Sequence, residues 1–205
     1  MTATVPARAQ PAQDEPFVAD SAVVAAGARI GARSRIWHHT QLDADVRIGE
    51  DCVLGKGVHV ASAAVIGNRV KIQDGCGVFG ALLEDGVLLA PGVYLLEDPA
   101  PRAVTPDGEL KGRQDWRREP VTVRYGATVG ANSVIAPGVT VGRFAMVGIG
   151  TVVGRDVPDH ALVMGNPARQ VGWACMCGHR LDEIQTCPTC GRQYLQRPHG
   201  LSLAL

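Results

Sequence analysis

From Val18 to Val78 a large aliphatic residue recurs at every sixth position without a miss: Val18, Val24, Ile30, Ile36, Leu42, Ile48, Leu54, Val60, Ile66, Ile72 and Val78. An amphipathic helix repeats near 3.6 residues and a strand at 2, so neither period gives this beat. Four residues after each aliphatic stands a mostly small one, from Ala22, Ala28, Ser34 and Thr40 through Cys52 to Cys76 and Leu82. The phase slips by one to Leu83 and Leu89, then resumes at Val123, Val129, Ile135, Val141, Val147 and Val153.

A short strand plus a bend accounts for each unit. The aliphatic side chain points inward, and the small one sits where the chain turns. Glycine often follows the aliphatic (Gly31, Gly49, Gly55, Gly67, Gly130, Gly142, Gly148, Gly154), which predicts tight backbone corners there. Three units make a triangular coil of 18 residues, and stacked coils bury one aliphatic column. The predicted fold is all-β: a parallel β-helix of hexapeptide repeats. A β-sandwich spaces its strands too irregularly to give such a run. The core must be aliphatic, because the chain has only three each of Trp, Tyr and Phe.

Lys and Arg balance Asp and Glu at 20 each, so no bulk charge draws the chain to nucleic acid or to a membrane. No stretch approaches the ~20 apolar residues of a membrane span. The opening "MTATVPARAQPAQDEP" has no apolar signal core, so residues 1–16 are expected to be a flexible tail and the protein cytoplasmic. In that compartment clustered cysteines suggest metal or catalysis rather than disulfides.

The six-residue beat resembles the left-handed β-helix acyltransferases of the hexapeptide-repeat superfamily, over roughly residues 17–173. The left hand is what this resemblance implies, as is a homotrimer with acyl-CoA and acceptor in clefts between prisms. "RIWHHT" (35–40), "VIGNRVKIQDGCGVF" (65–79), "LEDGVLLAPGVYLLEDPAPR" (83–102) and "ATVGANSVIAPGVTVGRFAMVGIGTVVGRDVPDHALVMGNPARQVGW" (127–173) are similar to one group within it. That group comprises the bacterial N-acetyltransferases acting on UDP-2-acetamido-3-amino-2,3-dideoxy-glucuronate. Three departures bear on the substrate. Asp74-Gly75 replaces Asn-Asn, one residue is missing near Gly80, and Leu96-Glu97 replaces a Thr-Asn whose Asn lies near the acceptor sugar in the group.

The implied activity is transfer of acetyl from acetyl-CoA to the amine of an amino sugar, expected to be nucleotide-linked. An O-acyltransferase on a small hydroxyl acceptor, a γ-carbonic-anhydrase-like enzyme and a non-catalytic β-helix are the alternatives. The anhydrase needs a three-histidine metal site, and the spacing of His38, His39 and His59 does not resemble it. "GNPARQ" (165–170) argues against a mere scaffold, because its counterpart in the superfamily lies against the adenosine end of CoA.

The resemblance implies Asn166, Pro167 and Arg169 as cosubstrate-binding residues, with Ala145, Gly148 and Gly150 lining the pantetheine groove. It implies Gln73, Asp74, Glu84, Asp85 and Arg102 on the acceptor side, Arg102 at the group's "NPR" position. Catalysis requires in-line positioning, donors to an oxyanion and removal of a proton from nitrogen. Glu97 is a base candidate because a carboxylate stands where the group has an amide, and His38 because the group has a histidine there. In these enzymes the CoA sulfur can also accept the proton without a protein base. His39 reads as structural. The interruption at 95–120 is an inserted loop whose Arg102, Lys111, Arg113, Arg117 and Arg118 are candidates to meet phosphate.

Residues 174–205 leave the repeat. Cys175-x-Cys177-Gly and Cys187-x-x-Cys190-Gly are two thiolate-presenting turns with nine residues between them. They predict a small zinc ribbon holding structural Zn2+, with a redox pair as the alternative and His179 as a substitute ligand. Cys52 and Cys76, at small-residue positions, read as buried inert thiols.

Overall fold

The computed structural model describes residues 14–204, so residues 1–13, most of the expected tail, lie outside the described residues. Twenty strands of two residues each, from β1 (Phe17–Val18) to β20 (Val152–Val153), wind into a triangular prism. They fall into three parallel sheets, the faces of the prism. The register is the predicted 18: Arg35 pairs with Val53, Gln41 with His59 and Arg47 with Val65. Corner I links faces one and two, corner II faces two and three, and corner III returns to face one.

The phase slip and the interruption leave separate marks on the register. Lys71 pairs with Leu88, Gly77 with Tyr94 and Val65 with Leu82, all 17 apart, so one coil is a residue short. In the next coil Leu88 pairs with Thr128, Tyr94 with Val134 and Leu82 with Thr122, all 40 apart. The insertion at corner II therefore adds 22 residues without moving the columns.

The predicted column is the core. Ile36, Leu42, Leu54, Val60, Ile72, Val78, Leu83 and Leu89 are buried, as are Val123 to Val153 at each six-residue step. The first coil is the exception. Val24 is 39% exposed because, among the described residues, no coil lies beneath it. At the slip the small partner is Ala81, which is buried, whereas Leu82 points outward at 42% exposure.

The small positions do more than save space. Ser34, Thr40 and Ser133 are fully buried, and their hydroxyls donate to the carbonyls of Gly49, Gly55 and Gly148 in the next coil at 2.8, 2.9 and 2.8 Å. Cys52 and Cys76 make the same approach to Gly67 and Ala90, both at 3.1 Å. Burial pushes both thiols above their ordinary pKa, consistent with inert packing residues.

Most of the glycines after the aliphatic positions serve a purpose other than the predicted one. The left-handed residue of each bend lies two positions later and is often not glycine: Arg33, His39, Asp45, Asp51, Ala63, Arg69, Asn132 and Phe144. Gly49 is needed because stacked backbones touch there. A Cβ on it would lie 2.6 Å from the carbonyl oxygen of Gly67.

At the far end the prism is closed by the antiparallel hairpin β21 (Ala161–Met164) and β22 (Arg169–Trp173). Residues 174–204 form a small cysteine-centred lobe ending in the hairpin β23 (Tyr194–Arg197) and β24 (Gly200–Leu203). Trp173 packs against both cores. Among the described residues no helix is long and apolar enough to cross a membrane.

Candidate active site and metal centre

The two candidate acid–base residues stand at different corners. His38 is at corner I, in a groove of about 480 Å³ also lined by Trp37, Lys56, Lys71, Gln73 and Asp74. Its Nδ1 lies 2.9 Å from the hydroxyl of Ser21. Asp74 is partly engaged there, since its Oδ1 accepts the Lys56 backbone N–H at 2.8 Å. His39 occupies the left-handed bend position, with φ 59°.

Glu97 is at corner II, at the root of the insertion. The loop folds back on the prism: the Glu119 N–H donates to the Glu97 carbonyl at 2.8 Å, and Arg118 donates to the Ser62 carbonyl at 3.2 Å. A short hairpin joins Val104 to Leu110. Between loop and corner lies a cavity of about 510 Å³, whose lining includes Phe79, Leu96, Glu97, Arg102, Lys111 and Trp116. Arg117 pairs loosely with Glu119 at 3.8 Å, and the side chain of Arg113 lies outside the described residues.

Glu97 is 8% exposed, and its Oε2 is buried without a hydrogen-bond partner. The Arg118 Nε stands 3.5 Å away, an ion-pair distance but not a hydrogen bond. Burial raises the Glu97 pKa, and the Arg118 guanidinium only partly offsets it. The shortened coil makes this seat. Gly80 is left-handed (φ +57°), and a Cβ there would collide with the Glu97 carboxylate.

Arg102 reaches the same cavity as Glu97. Glu84 and Asp85 do not, for they belong to corner III. The Asp85 carboxylate accepts the Asn68 backbone N–H at 2.8 Å and Arg69 at 3.0 Å, which holds its pKa low. Glu84 accepts the Tyr125 N–H at 2.8 Å and faces Arg124 and Arg143, each at 3.6 Å. Both side chains staple successive coils. The five acceptor-side candidates are thus spread over three corners of one chain.

Of the cosubstrate candidates, Gly148, Gly150 and the Gly165–Ala168 bend stack at the far end of corner I, where Ala168 N–H donates to Val152 O at 2.9 Å. Space beside Gly150 is open, and the Met164 side chain lies over Gly148. Arg169 starts β22 and turns its Nη1 onto the Ala168 carbonyl at 3.0 Å. Ala145, expected in the groove, is instead buried in the core at a small-residue position, so its side chain faces no groove. Phe79 and Trp116, two aromatics in an aromatic-poor chain, escaped the sequence reading. Trp116 sits in a run of charges, which was the available signal. His59 lines neither cavity; it stands in β8 (His59–Val60), where its Nε2 lies 3.3 Å from the Asp43 carboxylate.

The four ribbon cysteines converge, their sulfurs within 4.8 Å of one another. Cys175 and Cys190 are 3.5 Å apart, and Cys177 and Cys187 3.6 Å. Four sulfurs at about 2.3 Å from a zinc ion stand about 3.8 Å apart, so this set fits a tetrahedral metal. His179 remains outside the four, its Nδ1 3.6 Å from the Cys177 sulfur. Backbone N–H donation from Arg192 lowers the Cys190 pKa to about 6, favouring a thiolate.

Fold and repeat define a hexapeptide-repeat parallel β-helix. The family model for the bacterial transferase hexapeptide (six repeats) matches residues 45–80, and that for the hexapeptide repeat of succinyl-transferase residues 120–155. A dTDP-3-amino-3,6-dideoxy-alpha-D-galactopyranose 3-N-acetyltransferase from Aneurinibacillus thermoaerophilus is 40% identical over 74 residues, 35% of this chain and 38% of that one. Serine acetyltransferase 4 of Arabidopsis thaliana is 31% identical over 129 residues, 62% and 28% of the two chains. The chain thus spans well under half the length of the curated relatives it matches. A Bacillus cereus crystal structure, provisionally assigned as an acetyltransferase, superposes with a TM-score of 0.50 at 22% identity, covering 78% of each chain. That likeness concerns the fold.

Proposed function

We propose that the protein is an acetyl-CoA-dependent N-acetyltransferase acting on the amine of a nucleotide-linked amino sugar. The observation that carries the reading is Glu97: a buried carboxyl whose Oε2 has no hydrogen bond and only the Arg118 guanidinium at 3.5 Å, in a cavity that Arg102, Lys111 and two aromatics also line. An amine is the complement of that carboxyl group, and Arg102 and Lys111 complement the phosphates or carboxylate of the same acceptor. The amino-sugar acetyltransferase relative is consistent with this acceptor class.

The neutral amine attacks the thioester carbonyl, and a tetrahedral oxyanion forms. Glu97, its pKa raised by burial, takes the proton from nitrogen as the C–S bond breaks and thiolate leaves. Backbone N–H groups at the corners are the oxyanion donors in this reading. Gly148, Gly150, Asn166, Pro167 and Arg169 hold the cosubstrate along corner I. Asp74 and Gly148 are three coils apart on this edge, roughly 14 Å at ~4.8 Å per coil, a span for an extended pantetheine arm. A homotrimer, with the acceptor in the cleft between neighbouring prisms, belongs to the same reading. The ribbon cysteines hold structural Zn2+.

The test is a panel of nucleotide-linked amino sugars with acetyl-CoA, read as thiol release. Activity should fall at least ~100-fold in Glu97→Gln, the usual scale of a general base. A loss below about tenfold removes Glu97 from that role, and no thiol release with any amino sugar refutes the reading. The serine acetyltransferase relative supports a second reading, O-acylation of a small hydroxyl acceptor, so the panel includes serine.

A further inference from the structure

We propose that metal loading of the four-cysteine ribbon clamps the far end of the prism, with Tyr194 and His160 as the positioning residues that join the two. The inference rests on the cluster holding zinc.

The connection is continuous and buried. The Tyr194 hydroxyl lies 3.1 Å from the Cys175 sulfur and accepts the Met176 N–H at 3.0 Å. Its ring is 4.8 Å from that of His160, which in turn stacks 5.2 Å from Phe144 at corner III. His160 also grips the strand leading into Cys175. Ala174 N–H donates to the His160 carbonyl at 2.7 Å, and Nδ1 lies 2.8 Å from the Ala174 carbonyl. A carbonyl only accepts, so Nδ1 carries the proton. A second grip comes from the last hairpin: Asp159 N–H donates to His199 O at 2.9 Å, and Leu201 N–H to Asp159 O at 3.1 Å.

The ribbon's own core is Cys175, Leu181, Cys187, Tyr194 and Leu201. That is too little apolar surface to order about 30 residues without a metal. When the metal leaves, the partners of Asp159 and His160 lose their order. In a solenoid each coil touches only its neighbours, so the opening stays local to the last turn. That turn includes the hairpin carrying Gly165 to Arg169. Zinc therefore controls the end of the prism to which the cosubstrate is assigned, from a position outside the cavities.

The experiment is hydrogen exchange on the full-length protein, zinc-loaded and chelator-stripped, with elemental analysis of both. One zinc per chain is expected. Stripping should speed exchange across 156–174 at least tenfold and leave 41–72 unchanged. Equal exchange at 156–174 with zinc gone overturns the clamp while leaving the zinc site standing, and acceleration throughout the prism overturns its local nature. Absence of zinc from the native protein overturns the site itself, and the clamp with it.

Two variants avoid the ligands. In Gly200→Ala the new Cβ would meet the Asp159 nitrogen at 2.7 Å, so full zinc with fast exchange at Asp159 is expected. Unchanged exchange there refutes the hairpin grip. Tyr194→Phe should weaken zinc about 10- to 100-fold, as loss of an outer-shell partner does, and protection at 156–174 should fall with it. No change in either removes Tyr194 from the connection.

Discussion

Replacing Gly80 by alanine separates the seat of Glu97 from the rest of the fold. Gly80 and Gly57 share a left-handed backbone, at φ +57° and +67°. A Cβ at Gly57 meets nothing within 4 Å, whereas at Gly80 it collides with the Glu97 carboxylate. Both alanines carry the left-handed backbone cost, about 1–2 kcal/mol. Gly80→Ala must also turn Glu97 outward. That movement costs about 1 kcal/mol in rotamer strain, but it returns to water an oxygen whose unsatisfied burial costs about 1–3 kcal/mol. The two contributions oppose each other, so the variants should unfold in urea within about 1–2 kcal/mol of one another. The difference appears in titration. Carbon-13 NMR of the Glu97 carboxyl should report a raised pKa in wild type and in Gly57→Ala. In Gly80→Ala it should fall back toward the ordinary carboxylate range, with activity lost as in Glu97→Gln. The same titration midpoint in all three proteins would refute the idea that the short coil builds the seat.

Because the raised Glu97 pKa favours the protonated folded state, its contribution to stability is full below the unfolded carboxyl pKa and is lost as pH rises through the folded one. Wild type should therefore lose stability over that interval in urea titrations relative to Gly80→Ala. Gly49→Ala drives a Cβ to 2.6 Å from the Gly67 carbonyl and should lower stability by about 3 kcal/mol or more. Gly154→Ala, with open space around the new Cβ, should stay within about 0.5 kcal/mol of wild type. Leu54→Ala empties a fully buried column position and should cost about 2–5 kcal/mol in the same unfolding assay.

The radial direction of each side chain was legible in the sequence, because a six-residue period reports which positions point inward. Ile48, Leu54 and Ile72 needed nothing more. What lies above or below a residue was not legible. That neighbour is 18 positions away, and a one-residue contraction alters the count. Glu84 and Asp85 therefore read as substrate ligands although they staple corner III, and Ala145 read as a groove residue although it faces the core. Gly49 read as a bend because sequence shows the absence of a side chain, not what occupies its space. The convergence of the four cysteines was legible for the opposite reason: it is fixed by local spacing, and long-range stacking does not enter. Phe79 and Trp116 needed the folded insertion to bring them together.

Two coils of the prism are irregular. One is shorter by a residue and the next longer by 22, and both changes fall at corner II. The columns on either side remain in step. Chain length at that edge is thus nearly uncoupled from the architecture that carries it. Such a protein can exchange one inserted segment for another as a tool holder exchanges bits, while the shaft is unchanged. A chimera carrying a foreign segment between Leu95 and Pro120 would be the direct way to exploit that freedom.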